Sequence, residues 1–149
     1  MLSNNWFEGK VSIDKNVGDG KIKKQTEAYL IDAMTFGSAE ERLIEETAPY
    51  CSGELDVKEL RHANYAEVIP SELDSDDKWY KLKYNIITID EKTGAEKTTP
   101  VYVLIQAANV VVAQEYFKES MRGTMVDYRI AAIQETKILD VFTMKTHED

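Results

Sequence analysis

Two stretches, WFEGKV (Trp6–Val11) and WYKLKY (Trp79–Tyr84), each open on one of the chain's two tryptophans and continue with the alternation of a half-buried strand. Their likeness extends far beyond six residues. At an offset of 73, Trp6 falls on Trp79, Phe7 on Tyr80, Val11 on Tyr84, Ile13 on Ile86, Thr26 on Thr99 and Tyr29 on Tyr102. One inserted residue changes the offset to 74, and LIDAMTFGSAEE from Leu30 then lies over LIQAANVVVAQE from Leu104. The offset returns to 73 where YAEVI from Tyr65 meets ILDVF from Ile138. Self-similarity at one long period is the mark of a tandem duplication.

Each copy resolves into elements. Phe7, Val11 and Ile13 share one strand face, with Trp6, Glu8, Lys10 and Ser12 on the other. A turn follows, NVGDGK in the first copy and EKTGAEK in the second, and a second strand completes a hairpin. Thr35 and Asn109 suit helix N-caps, because a side-chain oxygen there accepts from an unpaired backbone N–H. Behind them Phe36, Ala39, Leu43 and Thr47, and in the second copy Val110, Ala113, Phe117 and Met121, follow a helical stripe. Pro49 and Gly123 end the two helices. A last strand, Val57–Val68 and Tyr128–Val141, closes each copy.

The expected fold is α+β: a tandem duplication of a β-β-α-β unit with antiparallel sheets and approximate two-fold symmetry. The expected divisions are residues 1–70, an acidic linker at 71–78 and residues 79–149, both repeats packing as one compact unit. The linker SELDSDDK reads as solvated, since Asp74, Asp76 and Asp77 lack the glycine turn and distal glutamate of a calcium loop.

Composition narrows the classes. The chain has 149 residues, 43% hydrophobic, and a single cysteine, Cys51, so no internal disulfide is possible and a reducing cytoplasm is expected. No apolar run approaches the roughly 18 residues of a membrane span, so no membrane partner is expected. Neither a Walker loop, a nucleophile elbow nor a dinucleotide-binding glycine pattern occurs. Cys51, His62 and His147 carry no orienting motif, and no catalytic residue, metal site or cofactor is expected; the protein reads as a non-enzyme.

The net charge of −9 repels polyanions on average but leaves room for a local basic face. Trp6 stands beside Lys10, and Trp79 beside Lys81 and Lys83, on the strand faces opposite the apolar positions. Lys21, Lys23 and Lys24 cluster in KIKK. Stacking aromatics with nearby cations bind bases and phosphates. These eight residues are therefore the candidate ligand-binding set, for single-stranded nucleic acid or a signalling nucleotide. Two readings stay open beside it: the tryptophan faces are sealed by the other repeat or a terminus, and KIKK guards an edge strand. The alternative function is an acidic protein-binding inhibitor of a host defence or nucleic-acid-processing protein.

The segments KIKKQTEAYLIDAMTF, KWYKLKYNIITIDEKTG and MRGTMVDYRIAAI together resemble an uncharacterised domain-of-unknown-function family of gut bacteria, their prophages and phages. The resemblance covers nearly the whole chain and supplies no catalytic residue. It implies a phage or mobile-element setting, in which small cytoplasmic proteins serve replication or recombination, or block host defence.

Overall fold

The computed structural model describes residues 5–144 and carries two four-stranded sheets and two helices. In chain order the elements are β1 (Trp6–Gly18), β2 (Lys21–Asp32), α1 (Phe36–Thr47), β3 (Leu55–Ala63), β4 (Glu67–Ile69), β5 (Lys78–Ile89), β6 (Glu96–Ala107), α2 (Val110–Met121), β7 (Tyr128–Glu135) and β8 (Ile138–Phe142). A single 3-10 turn, Ala48–Tyr50, follows α1.

The single closing strand expected of each copy is in fact two, and the second of each pair changes sheets. One sheet has the order β3-β1-β2-β8 and the other β4-β6-β5-β7. β8 lies parallel to β2, and β4 lies parallel to β6, while every other pairing is antiparallel. The chain accordingly divides into two compact units: the first runs to Ala63 and resumes at Lys137, and the second is Asn64–Thr136. Each unit thus takes its outer parallel strand from the other half of the sequence. A one-dimensional pattern shows that YAEVI and ILDVF are strands but not which sheet edge receives them.

The units agree in detail. Both ladders to the third strand are interrupted by an extra residue, Lys58 opposite the Lys10/Val11 step and Ala131 opposite Lys83/Tyr84. These positions are 73 apart, so even the bulge recurs. The hairpin register corrects two sequence matches, Thr26 with Thr99 and Tyr29 with Tyr102. Trp6 pairs with Asp32 and Trp79 with Gln106, so β2 and β6 correspond at an offset of 74 throughout. Tyr29 faces α1 opposite Gly9, whereas Tyr102 stands opposite Lys83 on the other face of its sheet. A shift of one residue reverses the face of a side chain, and the inserted residue therefore belongs in the turn.

Helix starts match expectation. Thr35 accepts from Ser38 N while Ser38 Oγ accepts from Thr35 N, a reciprocal cap, and Asn109 Oδ1 accepts from Val112 N at 2.9 Å. α1 buries Ala39, Leu43 and Thr47 on Phe7, Val11, Ile13 and Ile31. α2 buries Ala113 and Phe117 on Tyr80, Leu82, Val103 and Ile105. Gly9 admits α1 closely, since a Cβ there would lie 2.7 Å from Leu43 Cδ2.

The acidic stretch is not merely a solvated linker. Ser71 N donates to Gln106 Oε1, and the hydroxyls of Ser71 and Tyr116 both donate to the buried Asp76 carboxylate, at 2.5 and 2.6 Å. These two bonds, that from Ser71 foremost, hold the Asp76 carboxyl below its usual range. Its contribution to stability is complete above the ordinary carboxylate pKa and is lost as pH falls through the depressed one.

Leu43→Ala and Phe117→Ala should each cost about 2–5 kcal/mol in chemical denaturation, because both side chains are enclosed. The strand exchange makes a more specific prediction. Phe142 pairs with Ile31 and stacks on Tyr29 at 5.1 Å. Phe142→Ala should speed amide exchange at residues 28–31 of β2 and leave residues 103–105 of β6 unchanged; the reverse pattern would exclude the exchanged pairing.

Candidate nucleic-acid interface

The sequence-derived binding residues separate into two environments. Trp6 and Trp79 are each 3% exposed, so neither ring offers a face to solvent, as base stacking requires. Large aromatic rings gain most from leaving water, and both lie at the paired ends of their hairpins remote from the turns, opposite Asp32 and Gln106. The Trp6 Nε1–H is buried without a hydrogen-bond partner among the described residues. Lys10 reaches Glu59 at 3.7 Å on an exposed surface. Lys81 is half-buried with Nζ 4.8 Å from the Tyr102 ring centroid, and Lys83 is half-buried opposite Tyr102.

Lys21, Lys23 and Lys24 occupy a different place. They lie in the distal half of the β1–β2 hairpin, where residues 16–24 are all exposed. Gly18, Asp19 and Gly20 take positive φ at its tip, a conformation that glycine adopts without strain. Cross-strand register puts Lys15 opposite Lys23, so both point from the same face as Ile13 and Gln25. Lys24 points from the other face and pairs with Asp14 at 3.1 Å. The Glu54 amide and then Lys24 draw the Asp14 carboxyl below its usual range, and Asp14 in turn raises Lys24. Lys21 and Lys23 are in no ion pair among the described residues.

This hairpin is the basic arm of an acidic molecule. Residues 15–25 carry four lysines against Asp19, whereas the corresponding stretch of the second hairpin, residues 88–98, has Asp90, Glu91 and Glu96 against Lys92 and Lys97. The paired strands of the two hairpins correspond in register, but their tips differ: the first turns at Asp19–Gly20 after a register shift at Asn16/Gly18, and the second through residues 90–95.

At the root of the basic hairpin lies a groove of about 320 Å³ lined by Lys15, Tyr29, Glu46, Tyr50, Leu139, Asp140 and Phe142. α1, the 3-10 turn and β8 supply its walls, so it exists because β8 joins this sheet. Within it Lys15 Nζ and the Tyr29 hydroxyl both hold the buried Glu27 carboxylate at 2.8 Å. Arg42 Nε donates to Glu46 at 2.6 Å and its guanidinium lies over the Phe142 ring. Tyr50 is 70% exposed with Lys15 Nζ 6.0 Å from its ring centroid. Sequence reasoning passed over Tyr50 because one aromatic beside a proline in a turn carries no periodic signal. The second unit has a corresponding groove of about 390 Å³ against α2, lined by Ile69, Pro70, Ser71, Tyr116, Glu119 and Ser120. It lacks a hairpin lysine, Thr88 standing where the first copy has Lys15.

Cys51 and His62 do not form a catalytic pair: Cys51 Sγ lies 3.3 Å from the Gly53 and Glu54 carbonyls, while His62 packs on Phe7 and Phe36. His147 lies outside the described residues. No group of three potential metal ligands occurs among the described residues. Among the described residues no helix is long and apolar enough to cross a membrane.

Burial, and then the bond to Glu27, push the Tyr29 phenol well above its ordinary value. A raised folded pKa means that the neutral phenol's contribution is complete below about pH 10 and declines above it. Denaturation measured through that alkaline range should therefore show a steep loss of stability, and Tyr29→Phe should flatten part of it. An unchanged slope in the variant would place the loss elsewhere.

The comparisons with known proteins yield a family and nothing finer. A family model described as Domain of unknown function (DUF4494) matches residues 5–144. No curated protein and no solved structure matches the chain.

Proposed function

The chain belongs to the DUF4494 family of domains of unknown function, and on that premise we propose that it is a non-catalytic protein that binds single-stranded nucleic acid through the β1–β2 hairpin. The observation that carries this reading is the concentration of exposed cations on that hairpin, with Lys21 and Lys23 free of ion pairs among the described residues. Cations projecting on a two-stranded ribbon meet phosphates at a distance from the acidic body, and within a Debye length of about 8 Å the local charge dominates over the net charge. An extended ribbon also follows a flexible strand without the shape demands of a duplex groove.

The two units are, on this proposal, copies of one duplicated unit, of which only the first acquired the basic arm. A phage or mobile-element setting, implied by the sequence resemblance, provides abundant single-stranded intermediates. The second reading, an acidic inhibitor of a host protein, is favoured by the net charge of −9 and by the acidic second hairpin.

Fluorescence anisotropy with a labelled single-stranded oligonucleotide tests the proposal. Affinity should fall with salt at a log–log slope of about −0.7 per phosphate contacted. Lys21→Glu with Lys23→Glu should weaken binding about tenfold or more and reduce that slope. Binding that ignores both salt and these substitutions would leave the inhibitor as the better account.

A further inference from the structure

The groove at the hairpin root has a charge pattern opposite to that of the hairpin itself. Glu27, Glu46 and Asp140 outnumber Lys15 and Arg42 around it, so a phosphate entering it meets net repulsion. Two of the carboxylates are already engaged, Glu27 by Lys15 and Tyr29, and Glu46 by Arg42. Asp140 is exposed, and one of its oxygens accepts from the Val141 amide, leaving the other as an acceptor at the groove wall. Tyr50 is largely exposed, so its ring is accessible for stacking at the groove. The volume of about 320 Å³ is at the small end of ligand sites and suits one planar ring.

These features complement an unpaired nucleobase held by its backbone outside the groove. Lys15 joins the two regions, since it belongs both to the hairpin face with Lys23 and to the groove lining. We propose that the groove is a nucleobase subsite, in which the base stacks on Tyr50 and directs an exocyclic amino group to Asp140 while the adjoining phosphates lie on Lys21 and Lys23. This rests on the reading of the hairpin as a phosphate-binding arm. Adenine, cytosine and guanine carry such an amino donor; thymine and uracil do not. The groove of the second unit has no cation at its rim and no basic hairpin, and is not a second subsite of this kind.

Binding of oligocytidylate and oligothymidylate of equal length to the full chain tests the subsite. Oligocytidylate should bind several-fold tighter. Tyr50→Ala should weaken binding to both about 5- to 100-fold, and Tyr50→Trp should restore it. Asp140→Ala, which removes the acceptor, should abolish the preference for cytosine while the helical and strand content stays unchanged by circular dichroism. Tyr50 and Asp140 are exposed, so neither change threatens the core. Equal binding of the two oligonucleotides, or no effect of Tyr50→Ala, overturns the subsite; if Lys21→Glu with Lys23→Glu still weakens binding, the phosphate-binding hairpin stands without it. Loss of both effects removes both.

Discussion

The parallel pairing of β8 with β2 is the constraint on which the first unit depends. Leu30 and Ile31 in β2 are fully buried, and a strand whose side chains are enclosed on both faces cannot leave its backbone edge open without cost. β8 closes that edge over Ala28–Ile31, buries Ile138 and seats Phe142 on Tyr29. β4 does the corresponding work for β6 over only three residues. Because each of these strands comes from the other half of the sequence, neither half contains its own complete sheet.

The same pairing positions the proposed interface. β8 contributes Leu139, Asp140 and Phe142 to the groove, α1 contributes Glu46, and the turn after α1 contributes Tyr50. The hairpin adds Lys15 and then continues beyond the packed part of the sheet as an exposed ribbon. Two units with the same strand order and different hairpin tips thus carry two different surfaces. In the first unit the hairpin ends in cations above an acidic, aromatic groove; in the second it ends in mixed charges above a largely apolar one. The first combination is the one from which we propose a ligand with an anionic backbone and a flat, amino-bearing side group.

Much of the fold was legible because it rests on local chemistry. Thr35 and Asn109 cap helices as their side chains require, and the spacing of Ala39, Leu43 and Thr47 marks the face of α1 that is buried. The exchange of β4 and β8 was not legible, since it depends on which edge a short strand meets after the chain has collapsed. Tyr102 was matched to Tyr29 although the two lie on opposite sheet faces, because an insertion slid one residue along a strand reverses every side chain behind it. Among the candidate site residues, the KIKK lysines fall where cations can meet a ligand, while Trp6 and Trp79 are enclosed. Alternation places a tryptophan on a face but does not reveal what covers that face. Tyr50 and Asp140 become neighbours of one groove only through the tertiary fold.

The central claim is that an acidic protein meets nucleic acid through one basic hairpin, and the most direct measurement is an amide-resolved NMR titration with a short single-stranded oligonucleotide. The account predicts shift changes concentrated in residues 15–25, extending to Tyr50 and residues 139–142, with the β5–β6 hairpin unaffected. Changes confined to the second unit, or none at concentrations where the oligonucleotide is in excess, would contradict it.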